Sequence, residues 1–247
     1  FRDLEWSPAT RRRALVAVGE WLGPLFPPSR SPADLIARPK VHDAPVPRLS
    51  QSDAARIVDA PLQAGEVTPT AHALALRDHA LLEILYGSGL RRQEVCDLVL
   101  AGIDFEHETL RVLGKGGKAR TVPLTEPAVD ALRAWLRDGR PTLVARAPVA
   151  ATREPVFVTR SGLAMEGSAV YRVVNRALRR AGRAGGPHLL RHAAATHLLE
   201  GPGGEGGAHL RVVQEVLGHE SLATTQRYTG VTTKAMQRVL RRGHPRG

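Results

Sequence analysis

The chain has 247 residues, 43% of them hydrophobic, and its 35 Lys and Arg against 24 Asp and Glu leave a formal charge of +11. That composition suits one large globular domain with a small appendage. It excludes a helical membrane span, since no run approaches roughly 18 apolar residues. The positive surplus favours a polyanionic partner, DNA or RNA, because each phosphate contacted releases condensed counterions.

Cys96 is the only cysteine, so no internal disulfide is possible and a reducing, cytoplasmic setting is expected. The chain begins at Phe1, with neither an initiator Met nor a basic-then-apolar signal pattern. This suggests a trimmed or incomplete N-terminus.

In chain order, residues 7–22 read as a helix with a Ser-Pro start and Leu15, Val18 and Leu22 on one face. Prolines at 24, 27, 28, 32, 39, 45 and 47 then mark an interdomain linker. Ser50 with Asp53 predicts a capped helix over about 51–60, and further helices are expected over 73–86 and 91–100. IDFEHETLRVL and ARTVPL alternate, carry β-branched residues and flank GKGG, which predicts a small antiparallel sheet with a basic turn at 114–117. Thr125 and Pro127 start a helix to about Arg137, and VFVT at 156–159 reads as a short strand. Helices are expected over 166–182, 187–200, 208–217, 221–227 and 233–241. The fold class is therefore mainly α with a small antiparallel β-sheet (α+β).

Four segments each place a basic or nucleophilic group at a helix end or turn. They are Gly89-Leu90-Arg91, Gly114-Lys115-Gly116, His188-Leu189-Leu190-Arg191, and Leu217-Gly218-His219 with Tyr228 nine residues on. His188 and Arg191, at i and i+3, share one face of their helix. Phosphodiester transesterification needs residues of these types. Guanidinium groups stabilise the extra negative charge on the non-bridging oxygens. A base relieves the attacking hydroxyl of its proton, and an acid protonates the departing sugar oxygen. Two Arg, two His, one Lys and one Tyr supply every role without metal or cofactor.

Competing chemistry finds little support. GKGGK is too short for a nucleotide-binding GxxxxGK[ST] loop and lacks its Ser/Thr. His188, His192 and His197 come without HExxH, CxxC or an acidic partner, so no metal site is expected. His192 and His197 read as helix-packing or DNA-facing residues, Tyr86 and Tyr171 as core, and Cys96 as a small core residue.

The run PHLLRHAAATHLL (187–199), then LRVVQEVLGHESLATTQRYTG (210–230), resembles the C-terminal half of the tyrosine recombinase catalytic domain, nearest the bacterial Xer branch. LEILYGSGLRRQEVCDL (82–98) is similar to that family's first-arginine motif, and LRVLGKGGKARTVPL (110–124) to its lysine-bearing β-hairpin. The ending GHPRG (243–247) is similar to the tail of members of that branch.

The resemblance implies the tyrosine-recombinase catalytic-domain fold over residues 46–247. Residues 1–45 are then a remnant of the family's N-terminal helical DNA clamp plus a linker. It implies that Arg91 and Arg191 clamp the scissile phosphate, Lys115 protonates the 5′-oxygen leaving group, and His188 assists proton transfer at the nucleophile. His219 would hydrogen-bond the phosphate or position the tyrosine, and Tyr228 would attack to leave a 3′-phosphotyrosine. Lys118, Arg120 and Arg92 are expected DNA contacts. The implied partners are double-stranded DNA and further recombinase protomers in a homo- or heterotetramer, with residues 231–247 docking on a neighbour. The implied setting is the nucleoid. EGPGGEGGAH (200–209) is longer than the family's usual connection, and it is expected to bulge outward and spare the site.

Two other functions compete with this one. A DNA-binding remnant without catalysis is disfavoured by the presence of all six polar residues, and a type IB topoisomerase by the closeness of the 217–229 run to Xer proteins.

Overall fold

The structure is a computed structural model that describes residues 8–22, 48–63, 65, 68–114, 117, 119–148, 154–204, 207–218 and 233–246. Its contacts divide the chain into two units, Phe1–Pro47 and Arg48–Gly247. In the first, α1 (Pro8–Leu22) is one continuous helix with Leu15 buried.

The hub of the second unit is α3 (Pro69–Gly87), in which Leu81, Leu82, Ile84, Leu85 and Tyr86 are all fully buried. A helix with so long a buried apolar run must be enclosed, and α2 (Gln51–Asp59), α5 (Glu126–Ala134) and α8 (Pro187–Glu200) enclose it. It begins four residues before the expected start. Thr68 Oγ1 accepts from Ala71 N at 3.1 Å, and Pro69 occupies the first turn, where its missing N–H costs nothing. Ser50 caps α2 as its spacing predicts, accepting from Asp53 N at 3.0 Å.

The helix expected over 91–100 is shorter. α4 (Arg92–Cys96) stops, Val99 turns extended, and a 3-10 turn covers Leu100–Gly102. Pairing with the segment at 154–156 draws the backbone out: Leu100 N donates to Glu154 O at 3.0 Å and Val156 N to Leu98 O at 2.9 Å. The expected strand at 156–159 is correspondingly reduced to isolated bridges, Val99 with Pro155 and Val158 with Ala164. Side chains take its carbonyls instead. Trp135 Nε1 donates to Val156 O and Arg77 Nη1 to Val158 O, each at 3.0 Å.

The sheet is antiparallel in the order β1 (Ile103–Asp104), β2 (Thr109–Leu113), β3 (Ala119–Pro123). Pairing runs from Thr109 with Pro123 to Leu113 with Ala119, which aims Leu110, Val112 and Val122 at the core. The helical path that begins with α5 does not stop near Arg137. Pro141 cannot donate to the carbonyl four residues back, and a π turn over Trp135–Gly139 carries the chain past it into α6 (Arg140–Val144). α7 (Gly167–Arg180) buries Val170, Val173, Val174, Ala177 and Leu178.

After α8 the glycine-rich connection folds back on its neighbours. Gln51 Nε2 donates to Gly201 O at 2.7 Å, Gly203 N to Gln51 Oε1 at 3.1 Å, and Ala208 N to Leu198 O at 2.7 Å. α9 (Leu210–Leu217) and α10 (Thr233–Gly243) then share a second apolar cluster, Leu198, Val213, Val216, Leu217, Met236 and Leu240. The helix expected over 221–227 lies outside the described residues.

Residues 243–246 dock on their own chain. Arg246 donates to Asp59 Oδ1 at 3.0 Å and Oδ2 at 3.1 Å and also pairs with the buried Glu83. The His244 ring is buried with its centroid 4.7 Å from that of Tyr86. Tyr86 itself is tied to α8, because His197 Nε2 donates to Leu49 O at 2.9 Å and its Nδ1 is left to accept from the Tyr86 hydroxyl, also at 2.9 Å.

Burial, reinforced by His197, lowers the His244 pKa from 6.5 to about 3. The unfolded chain therefore takes up a proton that the folded chain refuses, so stability from this residue is complete above pH 6.5 and is lost as pH falls towards 3. Below pH 6.5 this dependence is about 1.4 kcal/mol per pH unit. Melting curves between pH 7.5 and 5 should show wild type falling steeply and His244→Leu more shallowly. Parallel curves would mean that His244 is not held neutral.

Candidate active site

The last turn of α3 hands over to a corner at residues 88–91. Ser88 Oγ donates to Pro123 O at 3.0 Å, fastening the corner to β3. Gly89 has φ +59 and a Cβ there would collide with the Leu217 side chain, so only glycine meets both demands. Arg91 follows as the N-cap of α4, and its N–H donates to Glu94 Oε2 at 2.8 Å, a helix-start contact that also fixes the carboxylate. The Arg91 guanidinium then uses Nη1 on Glu94 Oε1 at 3.0 Å and Nη2 on Gly218 O at 2.6 Å.

From the second turn of α8, Arg191 reaches the same place. Its Nη2 donates to Leu217 O at 2.6 Å and its Nη1 to Gly89 O. From β3, Arg120 Nη2 donates to Glu94 Oε2 at 3.1 Å and lies 3.5 Å from Leu217 O. Three guanidinium groups thus gather around one buried carboxylate, leaving a net positive charge among the described residues.

The electrostatics register that excess. Burial, together with the neighbouring Arg91 and Arg120 charges and against the pull of Glu94, lowers the Arg191 pKa to about 10. Burial also lowers that of Arg120 against the pull of Glu94. At neutral pH Arg191 stays a cation, half-buried and short of anionic partners. An oxyanion with two or three exposed oxygens is what such a group would hold best.

The structure brings together some of the expected site residues. Arg91 and Arg191 meet at this corner, and His188 is exposed in the first turn of α8, three residues before Arg191. Lys115, Lys118, His219 and Tyr228 lie outside the described residues. Arg92 is exposed, with its side chain running over Gly167 at the start of α7. Arg120, expected as a DNA contact, is turned into the cluster with 21% of its side chain exposed.

Glu94 is the residue that sequence reading passed over. Its signal was the helix-start spacing: Arg91 at the N-cap and an acid three residues on. Tyr171 is a correction, since it is 45% exposed with its ring against the Gly186 backbone, where the core was expected. Tyr86 is fully buried and His197 packs as a helix-packing residue, while His192 is exposed and Cys96 half-buried against the core. Among the described residues, Asp59, His79 and Glu83 form a group with metal-ligand chemistry, and the Arg246 guanidinium is seated on both of its carboxylates.

Residues 47–235 match the model of the phage integrase family. The tyrosine recombinase XerC of Mycobacterium leprae is 40% identical over 236 residues, 95% of this chain and 74% of that protein. The XerC of Mycobacterium tuberculosis is 47% identical over 175 residues, 70% of this chain and 56% of that protein, so the chain spans little more than half the length of this relative. Among solved structures, a XerH site-specific recombinase bound to a palindromic difH substrate after cleavage superposes with a TM-score of 0.58 at 25% identity, covering 75% of this chain and 50% of that one. The chain belongs to the phage integrase family, as a tyrosine recombinase of its Xer branch.

Proposed function

We propose that this chain is a site-specific DNA recombinase that cuts and rejoins strands through a phosphotyrosine on Tyr228. The observation that carries the reading is the convergence of Arg91 and Arg191 on one half-buried corner with too few anions to satisfy them. A phosphodiester has the charge and the two non-bridging oxygens to fill that deficit.

In the proposed reaction the Tyr228 hydroxyl attacks phosphorus, the bond to the 5′-oxygen breaks, and the protein keeps the 3′-phosphate. His188 takes up the tyrosine proton, Lys115 delivers one to the leaving 5′-oxygen, and His219 holds the phosphate or the tyrosine in line. Arg91 and Arg191 stabilise the charge that builds on the non-bridging oxygens. The phosphotyrosine keeps the energy of the broken bond, so a 5′-hydroxyl reverses the steps without a nucleotide.

Residues 46–247 are the catalytic part in this reading, and residues 1–45 the end of an N-terminal clamp. The substrate is double-stranded DNA in the nucleoid, acted on by a tetramer of like or unlike protomers. Chromosome-dimer resolution and mobile-element integration or excision are the fitting tasks. The XerH structure, bound to its own DNA after cleavage, supports the substrate class. So does the outer face of α7, which presents Arg172, Arg176, Arg179 and Arg180 beside Tyr171.

Two measurements test this. A duplex nicked beside the cut, so that the 5′-hydroxyl fragment escapes, should give a slow-migrating covalent adduct on a denaturing gel in the presence of a chelator. Tyr228→Phe should give none. An absent adduct with DNA binding intact would assign an inactive DNA-binding module instead. Separately, Arg172→Ala and Arg179→Ala should each weaken DNA binding evenly across sequences and reduce the salt slope by about one. An unchanged slope would take α7 out of the interface.

A further inference from the structure

Arg120 is the member of the cluster for which the proposed chemistry has no task. Its position is nonetheless tightly specified. Nη2 is engaged by the buried Glu94, while Nε and Nη1 are buried without a hydrogen-bond partner among the described residues. Its guanidinium lies against the Gly218 backbone so closely that a Cβ on Gly218 would collide with Nε. A side chain whose task was to reach the DNA backbone from the surface would extend outward and keep its donors hydrated. Arg120 does the opposite, at a cost in desolvation that two unpaired donors leave uncompensated.

Glu94 explains what the arrangement achieves. Its Oε1 takes Arg91 Nη1, and its Oε2 takes both Arg91 N and Arg120 Nη2. Arg120 therefore closes the second side of a carboxylate whose plane sets the plane of the Arg91 guanidinium. It does so from β3, directly after the turn that carries Lys115. The planar, rigid fork of arginine suits this bridging. We propose that Arg120 is a positioning residue of the strand-transfer site, joining the β2–β3 hairpin to Glu94 and, through Glu94, fixing Arg91 against the phosphate. This rests on the recombinase reading of Arg91.

The test uses the full chain and the nicked duplex, with adduct formation followed at saturating DNA and affinity measured separately. Arg120→Gln should slow the first-order rate by about 10- to 100-fold, the usual consequence of misplacing a reacting group. Its dissociation constant and salt slope should stay at the wild-type values, and Arg120→Lys should recover part of the rate. In a Glu94→Gln background the same Arg120→Gln change should cost less than about threefold, because residues acting through one another are not additive.

Three outcomes would overturn the proposal. Weaker binding, a salt slope lower by about one and a normal saturated rate would make Arg120 a DNA contact. Fully additive losses with Glu94→Gln would make it a direct phosphate ligand. A melting temperature depressed equally in the Gln and Lys variants, with equal rate losses, would make it structural. Failure of the wild-type protein to form any adduct counts against the recombinase reading alone. Arg120 is then judged from the arginine Nη–Hη resonances of the DNA-free protein, because Arg91 meets Glu94 through Nη1. Arg120→Gln should speed solvent exchange at Arg91 Nη1, and an unchanged exchange rate would overturn the bridge.

Discussion

The corner at Leu217–Gly218 depends on guanidinium groups donating to backbone carbonyls. Arg191 takes Leu217 O, Arg91 takes Gly218 O, and Arg191 also reaches back to Gly89 O. Each bond joins segments far apart in sequence, so these few contacts register α3, α8 and the end of α9 against one another. They also demand glycine at both ends. Gly89 and Gly218 have left-handed backbones, φ +59 and +64, and each presses bare backbone on a side chain that a Cβ would displace. The two short motifs Gly-Leu-Arg and Leu-Gly-His are therefore halves of one device.

Such a corner holds its geometry only if the helix that delivers it cannot shift. α3 meets that need by burial on every side, and polar ties fix its register at the end that matters. The Tyr86 hydroxyl is bonded to His197 on α8, and Ser88 is bonded to Pro123 on β3. The buried Arg77–Asp78 pair, at 2.6 Å, holds its middle, with Arg77 also donating to Val158 O. An ion pair removed from water adds little net stability, but losing one partner is costly. Here Arg77, held by Asp78, donates to Val158 O and so ties α3 to the 156–158 segment.

How much of this was legible in the sequence follows the range of the forces involved. Local signals worked where the chain answers to itself: Ser50 caps α2 as its spacing predicts, and GKGG marks the hairpin between β2 and β3. They failed where a distant segment competes. Nothing near Leu98 and Val99 announces that residues 154–156 will take their backbone groups and cut α4 short. VFVT has the composition of a strand, yet Trp135 and Arg77 take the carbonyls a strand partner would need. At the site, the Gly-Leu-Arg and His-Leu-Leu-Arg motifs singled out Arg91 and Arg191, which the structure brings to one corner. Glu94 hid inside an ordinary helix start, and Arg120 looked like one more basic residue after a basic turn. Tyr171 sits on α7 with its ring against Gly186, fifteen positions away, and outside the core that its residue type suggested.

The carbonyl ligands of the arginines also bear on how a phosphate would be received. A guanidinium has five N–H donors in a fixed plane, and the bonds described for Arg91 leave several of them free of Glu94 and Gly218. A phosphate oxygen is a stronger, charged acceptor than a neutral carbonyl, but it need not displace one. The same planes are able to hold the diester on one edge and the end of α9 on the other. In the proposed reaction this matters because Gly218 immediately precedes His219 and the segment that carries Tyr228. Arginines that grip both the phosphate and that corner would set the distance between the reacting phosphorus and the chain that brings the nucleophile. The charge clamp and the positioning of the tyrosine would then be one structure, and weakening it at Glu94 should disturb both together.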